Sequence, residues 1–185
     1  FDPGKLDKVC IKNCLAVGLS ANFLEPLEAT SIGTSIQQAF MVMHKIRGDG
    51  SISPPDRELI NTMTDGLMDN SRDFVALHYM NDNRSTPFWR MCSELPRPDS
   101  LMTLLESLKY KPLDAHDFCM YKSGYTLFGP TNFNLIAYYH GLLKSETCKL
   151  QVDGINLNLL PTFKIGITRE GVLPHKEYIQ RINNI

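Results

Sequence analysis

The sequence has no apolar run near the ~20 residues that a membrane-crossing helix needs, so no helical span is read from it. It has no excess of charge: 19 Lys and Arg stand against 20 Asp and Glu, a net of −1. That balance argues against a nucleic-acid-binding domain, which is normally clearly basic. It has no internal repeat, no low-complexity tract and no Gly-x-Gly-x-x-Gly loop to hold a pyrophosphate. Cysteine is sparse and odd in number: Cys10, Cys14, Cys92, Cys119 and Cys148. Such wide spacing is neither a disulfide framework nor a zinc pattern, so no metal site is expected. The five read as reduced core thiols of a cytoplasmic protein, with Cys10 and Cys14 on one face of a strand. No signal peptide is visible, and a chain that starts at Phe1 without a Met would hide one.

What is present is an ordinary globular composition, 43% hydrophobic and 21% charged over 185 residues, enough for one good core. The most informative stretch is Phe23-Leu-Glu-Pro-Leu-Glu-Ala-Thr-Ser-Ile32. It sets a carboxylate, Glu28, two residues before a Thr-Ser pair able to open a helix. Ile32, Ile36, Phe40 and Met43 then repeat at the spacing of an apolar helix face. A helix start leaves N–H groups unpaired and carries partial positive charge, which suits a small anion. Upstream, residues 9–18 are mostly apolar, end in Gly18 and read as a strand, with 19–23 as a tight turn. Strand, small-residue loop and helix is the layout found around cofactors in doubly wound folds.

Three blocks in register give these features a family. Val17-Gly-Leu-Ser-Ala-Asn-Phe-Leu-Glu-Pro-Leu-Glu-Ala-Thr-Ser-Ile32 resembles the flavin-dependent tryptophan halogenases. So do Arg72-Asp-Phe-Val-Ala-Leu-His-Tyr79 and the pair Thr86-Pro-Phe-Trp-Arg90 and Pro96-Arg-Pro-Asp-Ser100. Tyr125-Thr-Leu-Phe-Gly129 followed by Asn132-Phe-Asn134 extends the likeness, with Phe133 where the family leads one to expect Trp. The family's pyrophosphate loop and its Trp-x-Trp-x-Ile-Pro motif are both missing. The resemblance therefore implies a C-terminal fragment of a larger enzyme, without the family's catalytic lysine.

The implied fold class is an α/β flavin-monooxygenase-like fold, of which this chain is the last strand-loop-helix unit plus a mainly α-helical C-terminal region. Residues 1–31 would close the flavin-binding domain, and 32–185 would form a helical substrate-side domain. Along the second part, the pattern predicts a helix over 31–47 and one or two helices over 56–80. A break follows at 82–85, then a short helix over 87–93 capped by Ser85 or Thr86. A leucine-faced helix over 101–108 is capped by Asp99 or Ser100. Strand-like alternation is read over 117–128, a helix over 132–143, irregular chain over 144–174 and a final helix over 177–183.

The resemblance assigns roles. Glu28 matches an active-site glutamate that stabilises the cationic ring intermediate or removes its proton. By spacing alone it would be a carboxylate favouring a helix dipole. Thr30 and Ser31 match the pair whose backbone amides hold the halide, which is compatible with a plain N-cap. Ala29 stands where members often have Ser, and Ser31 where they often have Gly. Gly18, Ser20, Ala21 and Pro26 match the loop passing the flavin, although a tight turn would select similar residues. Glu25 is a weaker candidate; His78, Tyr79, Phe88 and Trp89 read as core or inter-domain packing. Tyr138, Tyr139 and His140 could line a substrate pocket.

The implied function is halogenation of an electron-rich aromatic, tryptophan- or indole-like, using reduced FAD, oxygen and chloride or bromide. A separate flavin reductase is an implied partner, and a homodimer is left open. The rival readings are a flavin-dependent aromatic hydroxylase and a non-catalytic helical interaction module.

Overall fold

A computed structural model describes residues 3–80, 86–144 and 147. The expected irregular stretch from 148 onward and the final helix over 177–183 lie outside the described residues, as do 82–85. Among the described residues five α-helices dominate: α1 (Thr30–Met43), α2 (Pro54–His78), α3 (Pro87–Glu94), α4 (Asp99–Leu108) and α5 (Pro130–Tyr139). Four two-residue strands precede them: β1 (Gly4–Lys5), β2 (Cys10–Ile11), β3 (Cys14–Leu15) and β4 (Asn22–Phe23). They pair antiparallel as β1–β4 and β2–β3. No described helix is long and apolar enough to cross a membrane.

The expected strand over 9–18 is instead a hairpin. Lys12 turns the chain at a φ of 55°, so Cys10 pairs with Leu15 and Ile11 with Cys14. Cys10 is buried and Cys14 exposed, so they do not share a face. Cys92 is buried and Cys119 is exposed as well, so half of the described thiols are not core residues.

α2 is the mast of the molecule, a single helix of 25 residues. Ser53 starts it, accepting from the N–H of Asp56, and Pro54 occupies a first-turn site where no N–H is needed. Its buried face carries several polar groups, and Asn61, Asn70 and Asp73 tie down other segments. Asn61 accepts from the N–H groups of Val9 and Cys10 and donates to the Cys10 carbonyl. Asn70 does the same for Leu127 and Phe128. Asp73 is fully buried between Arg72 and the Tyr121 hydroxyl, 2.8 Å from each. Gly66 lets the Lys122 backbone cross the helix; a Cβ there would sit 2.2 Å from the Lys122 carbonyl oxygen.

The main core lies between α2, α4 and α5. Leu101, Leu104 and Leu108 form the predicted α4 face and meet Phe74, Leu77, Phe118 and Phe133. Each such side chain contributes about 1.5–3 kcal/mol by leaving water. Phe133 is completely buried, in edge contact with Phe118 at 5.1 Å. A second cluster joins Val9, Cys10 and Ala21 to Met41 of α1 and Ile60 and Leu67 of α2.

Several expectations shift. The helix over 31–47 spans Thr30–Met43, and its apolar line is on the outside. Ile32, Ile36, Phe40 and Met43 are exposed, while Thr30, Thr34, Gln38 and Met41 are buried. The inversion works because Gln38 is satisfied, accepting from the Gly18 N–H and donating to the Ala16 carbonyl. α4 begins at Asp99 with Pro98 before it, so neither Asp99 nor Ser100 caps it. The 117–128 stretch contains 3-10 turns, Ala115–Met120 and Lys122–Gly124, and no strand. α5 ends at Tyr139, short of the expected 143.

Candidate active site around Glu28

A short 3-10 turn, Leu27–Ala29, leads into α1. Two successive residues there adopt left-handed backbone: Glu28 at φ 58° and ψ 17°, Ala29 at φ 48° and ψ 35°. Neither is glycine, and each such residue costs on the order of 1 kcal/mol. The left-handed pair turns the chain where it enters α1.

No side chain caps that turn. Ala29 has no acceptor to offer, and the Thr30 hydroxyl is spent on the Leu27 carbonyl at 2.8 Å. The Ser31 carbonyl accepts from the Ser35 hydroxyl at 2.7 Å. The leading amides of a 14-residue helix are thus left to a ligand or solvent, with the helix dipole behind them.

The Gly18 loop lies against this turn. Gly18 is buried at φ +58°, and a Cβ there would meet the Ser35 Oγ at 2.5 Å and the Ser31 carbonyl at 3.9 Å. Ser20 closes on its own loop, accepting from the Val17 N–H and donating to the Val17 carbonyl. Ala21 is turned into the core, whereas Pro26 is exposed. The sequence candidates therefore gather in one region, but Ser20 and Ala21 serve the loop itself.

α2 ends beside them. His78 is not plain packing: its Nε2 is 3.6 Å from a Glu28 carboxylate oxygen. Its Nδ1 lies 2.8 Å from the Phe74 carbonyl. Tyr79 donates to the carboxylate of Glu25, and burial followed by that hydrogen bond pushes its hydroxyl up to about 12. Tyr79, Glu25, Phe88, Met91 and Cys92 line an apolar cavity of ≈ 360 Å³ between α2 and α3. His140 follows α5, and burial, then the charge of His78, pushes its protonation down. Tyr138 and Tyr139 are exposed. Sequence reasoning missed the His78–Glu28 pair because 50 residues separate its members and neither has a local motif for the other.

The tryptophan halogenase profile matches residues 1–151. The chain belongs to the tryptophan halogenase family. It is 32% identical over 160 residues to the 7-chloro-L-tryptophan 6-halogenase KtzR of Kutzneria sp. (strain 744), covering 86% of this chain and 28% of that relative. It is 28% identical to the tryptophan 7-halogenase RebH of Lentzea aerocolonigenes, over 75% of this chain and 24% of the relative. Among solved structures, BrvH, a flavin-dependent halogenase from Brevundimonas sp. BAL3, superposes with a TM-score of 0.70 at 29% identity. That match covers 90% of this chain and 32% of BrvH. The chain thus spans about a quarter to a third of the length of the proteins it matches. The described part of this family member is mainly helical.

Proposed function

We propose that this chain carries the active-site carboxylate and halide cradle of a flavin-dependent halogenase acting on a tryptophan- or indole-like aromatic. In this reading residues 1–31 end the flavin-binding portion and 32–185 form the substrate side. The observation that carries it is the pair of left-handed residues Glu28 and Ala29 at the uncapped start of α1. Strain of this kind clusters at ligand-binding and active sites, and here two strained residues are consecutive.

The residues present fit the groups that the family implies. A chloride or bromide ion suits the Thr30 and Ser31 amides, because no side chain competes for them. FAD would lie along the exposed residues of the Gly18 loop and its neighbour, Leu19, Ser20 and Pro26, since Gly18 itself is buried against Ser35. When bound, reduced FAD with oxygen supplies the oxidising power for the halide. Glu28 then faces a ring that has gained halogen and positive charge. Its carboxylate stabilises that charge and accepts the proton leaving the ring carbon, while the C–H electrons restore aromaticity.

The test uses the full-length polypeptide containing these residues, a flavin reductase, an indole panel and either halide, read by mass spectrometry. A halogen isotope pattern on product, reduced at least about 100-fold by Glu28→Gln, supports the reading. Oxygenated product without halogen overturns it in favour of a hydroxylase. The 185-residue chain alone, lacking a pyrophosphate-binding loop, is expected to give no turnover.

A further inference from the structure

We propose that His78 is a positioning residue for Glu28: once Glu28 has taken a proton from the substrate ring, His78 Nε2 accepts from the Glu28 carboxyl and receives that proton. The inference rests on the reading of Glu28 given above.

The tautomer follows from the geometry. The Phe74 carbonyl can only accept, and His78 Nδ1 lies 2.8 Å from it, so Nδ1 carries a proton. Nε2 is then the nitrogen free to gain or lose one, and it is the nitrogen that faces Glu28. The ring is fixed in that pose. It stands edge-on to Phe74, with centroids 4.6 Å apart and planes at 86°, and only 17% of the side chain is exposed. Glu28 comes from a left-handed turn, and its side chain is 47% exposed, open to a substrate. The separation of 3.6 Å closes to a hydrogen bond with a shift of about 0.5 Å. Loose spacing of this kind is common before substrate binds.

Among the described residues, His78 is the basic group that reaches Glu28, and its charge also acts on His140. His140 is disfavoured as a cation by burial, then by the charge of His78. The proton inventory is simple. A ring C–H bond breaks, its electrons stay in the ring, and the proton goes to a Glu28 oxygen. It then passes to His78 Nε2, where Nδ1–H donation to Phe74 supports the resulting cation. Glu28 returns to the carboxylate needed for the next turnover, and His78 releases the proton to solvent.

The test compares His78→Asn, Glu28→Gln and His78→Ala in the full-length protein with reductase, halide and an accepted indole. Asn keeps a donor near the Nδ1 position and removes the atom facing Glu28. The expected result is kcat lowered about 100-fold with KM within about 2-fold of wild type. Added azoles should restore His78→Ala in order of their basicity, which filling a void alone would not do. Wild-type kcat in His78→Asn, or rescue independent of basicity, overturns the pairing while leaving Glu28 standing. An active Glu28→Gln, or no halogenated product from wild type, overturns the underlying reading and the pairing with it.

Discussion

The Tyr79 hydroxyl lies 2.8 Å and 2.9 Å from the two carboxylate oxygens of Glu25, joining the end of α2 to the loop before α1 across 54 residues. The folded state therefore favours the neutral phenol. An acid whose ionisation is raised on folding stabilises the fold below its unfolded value, here 10.0, and the gain is lost as pH climbs through about 12. Phenolate absorbance, taken as the difference between wild type and Tyr79→Phe, should show Tyr79 ionising near the top of that window. Glu25→Gln should move it back toward 10.0. No movement would mean that the bond is not formed in solution.

Gly66→Ala should be among the most damaging single changes. Its new methyl would overlap the Lys122 backbone, not a flexible side-chain tip. Overpacking of that kind costs about 1–3 kcal/mol. Urea unfolding should show a lower midpoint with an unchanged slope. A variant with wild-type stability would show that the crossing at Lys122 relaxes freely.

Gly18→Ala combines left-handed backbone with a clash at the Ser35 hydroxyl. The backbone part costs about 1–2 kcal/mol. The clash should be relieved by Ser35→Ala, so the double variant should be more stable than the two single losses predict. Additive losses in a double-mutant cycle would contradict the contact.

Ile36→Lys on the outer face of α1 should leave the stability of this chain within about 0.5 kcal/mol of wild type, since Ile36 is half-exposed already. Thr34→Lys, two residues away and completely buried, should prevent folding. Circular dichroism melts of the two variants test the assigned orientation of the helix.

The contrast between these two positions marks where sequence reading works. Local chemistry was legible: Thr86 ahead of Pro87 and the leucines of α4 lie where their types direct. Long-range choices were not. The α1 repeat of Ile32, Ile36, Phe40 and Met43 marks a helix correctly but not which side faces this chain's core. That choice fell to Gln38, whose amide partners lie 20 and 22 residues away. The hairpin at Lys12 was hidden inside an apolar run, because its turn uses a lysine rather than a glycine. At the candidate site, Glu28 was readable from its motif, while His78 looked like any histidine in an apolar helix until α2 brought it alongside.

The outward stripe on α1 bears on how a cell makes this polypeptide. Ile32, Ile36, Phe40 and Met43 stay greasy after the helix has formed. A nascent chain folded only this far would offer holdase chaperones a binding strip and proteases a mark of incomplete work. Yield in a cell should therefore respond to co-expressed chaperones and to whatever polypeptide covers the strip, even where the folding midpoint of the purified chain is unchanged.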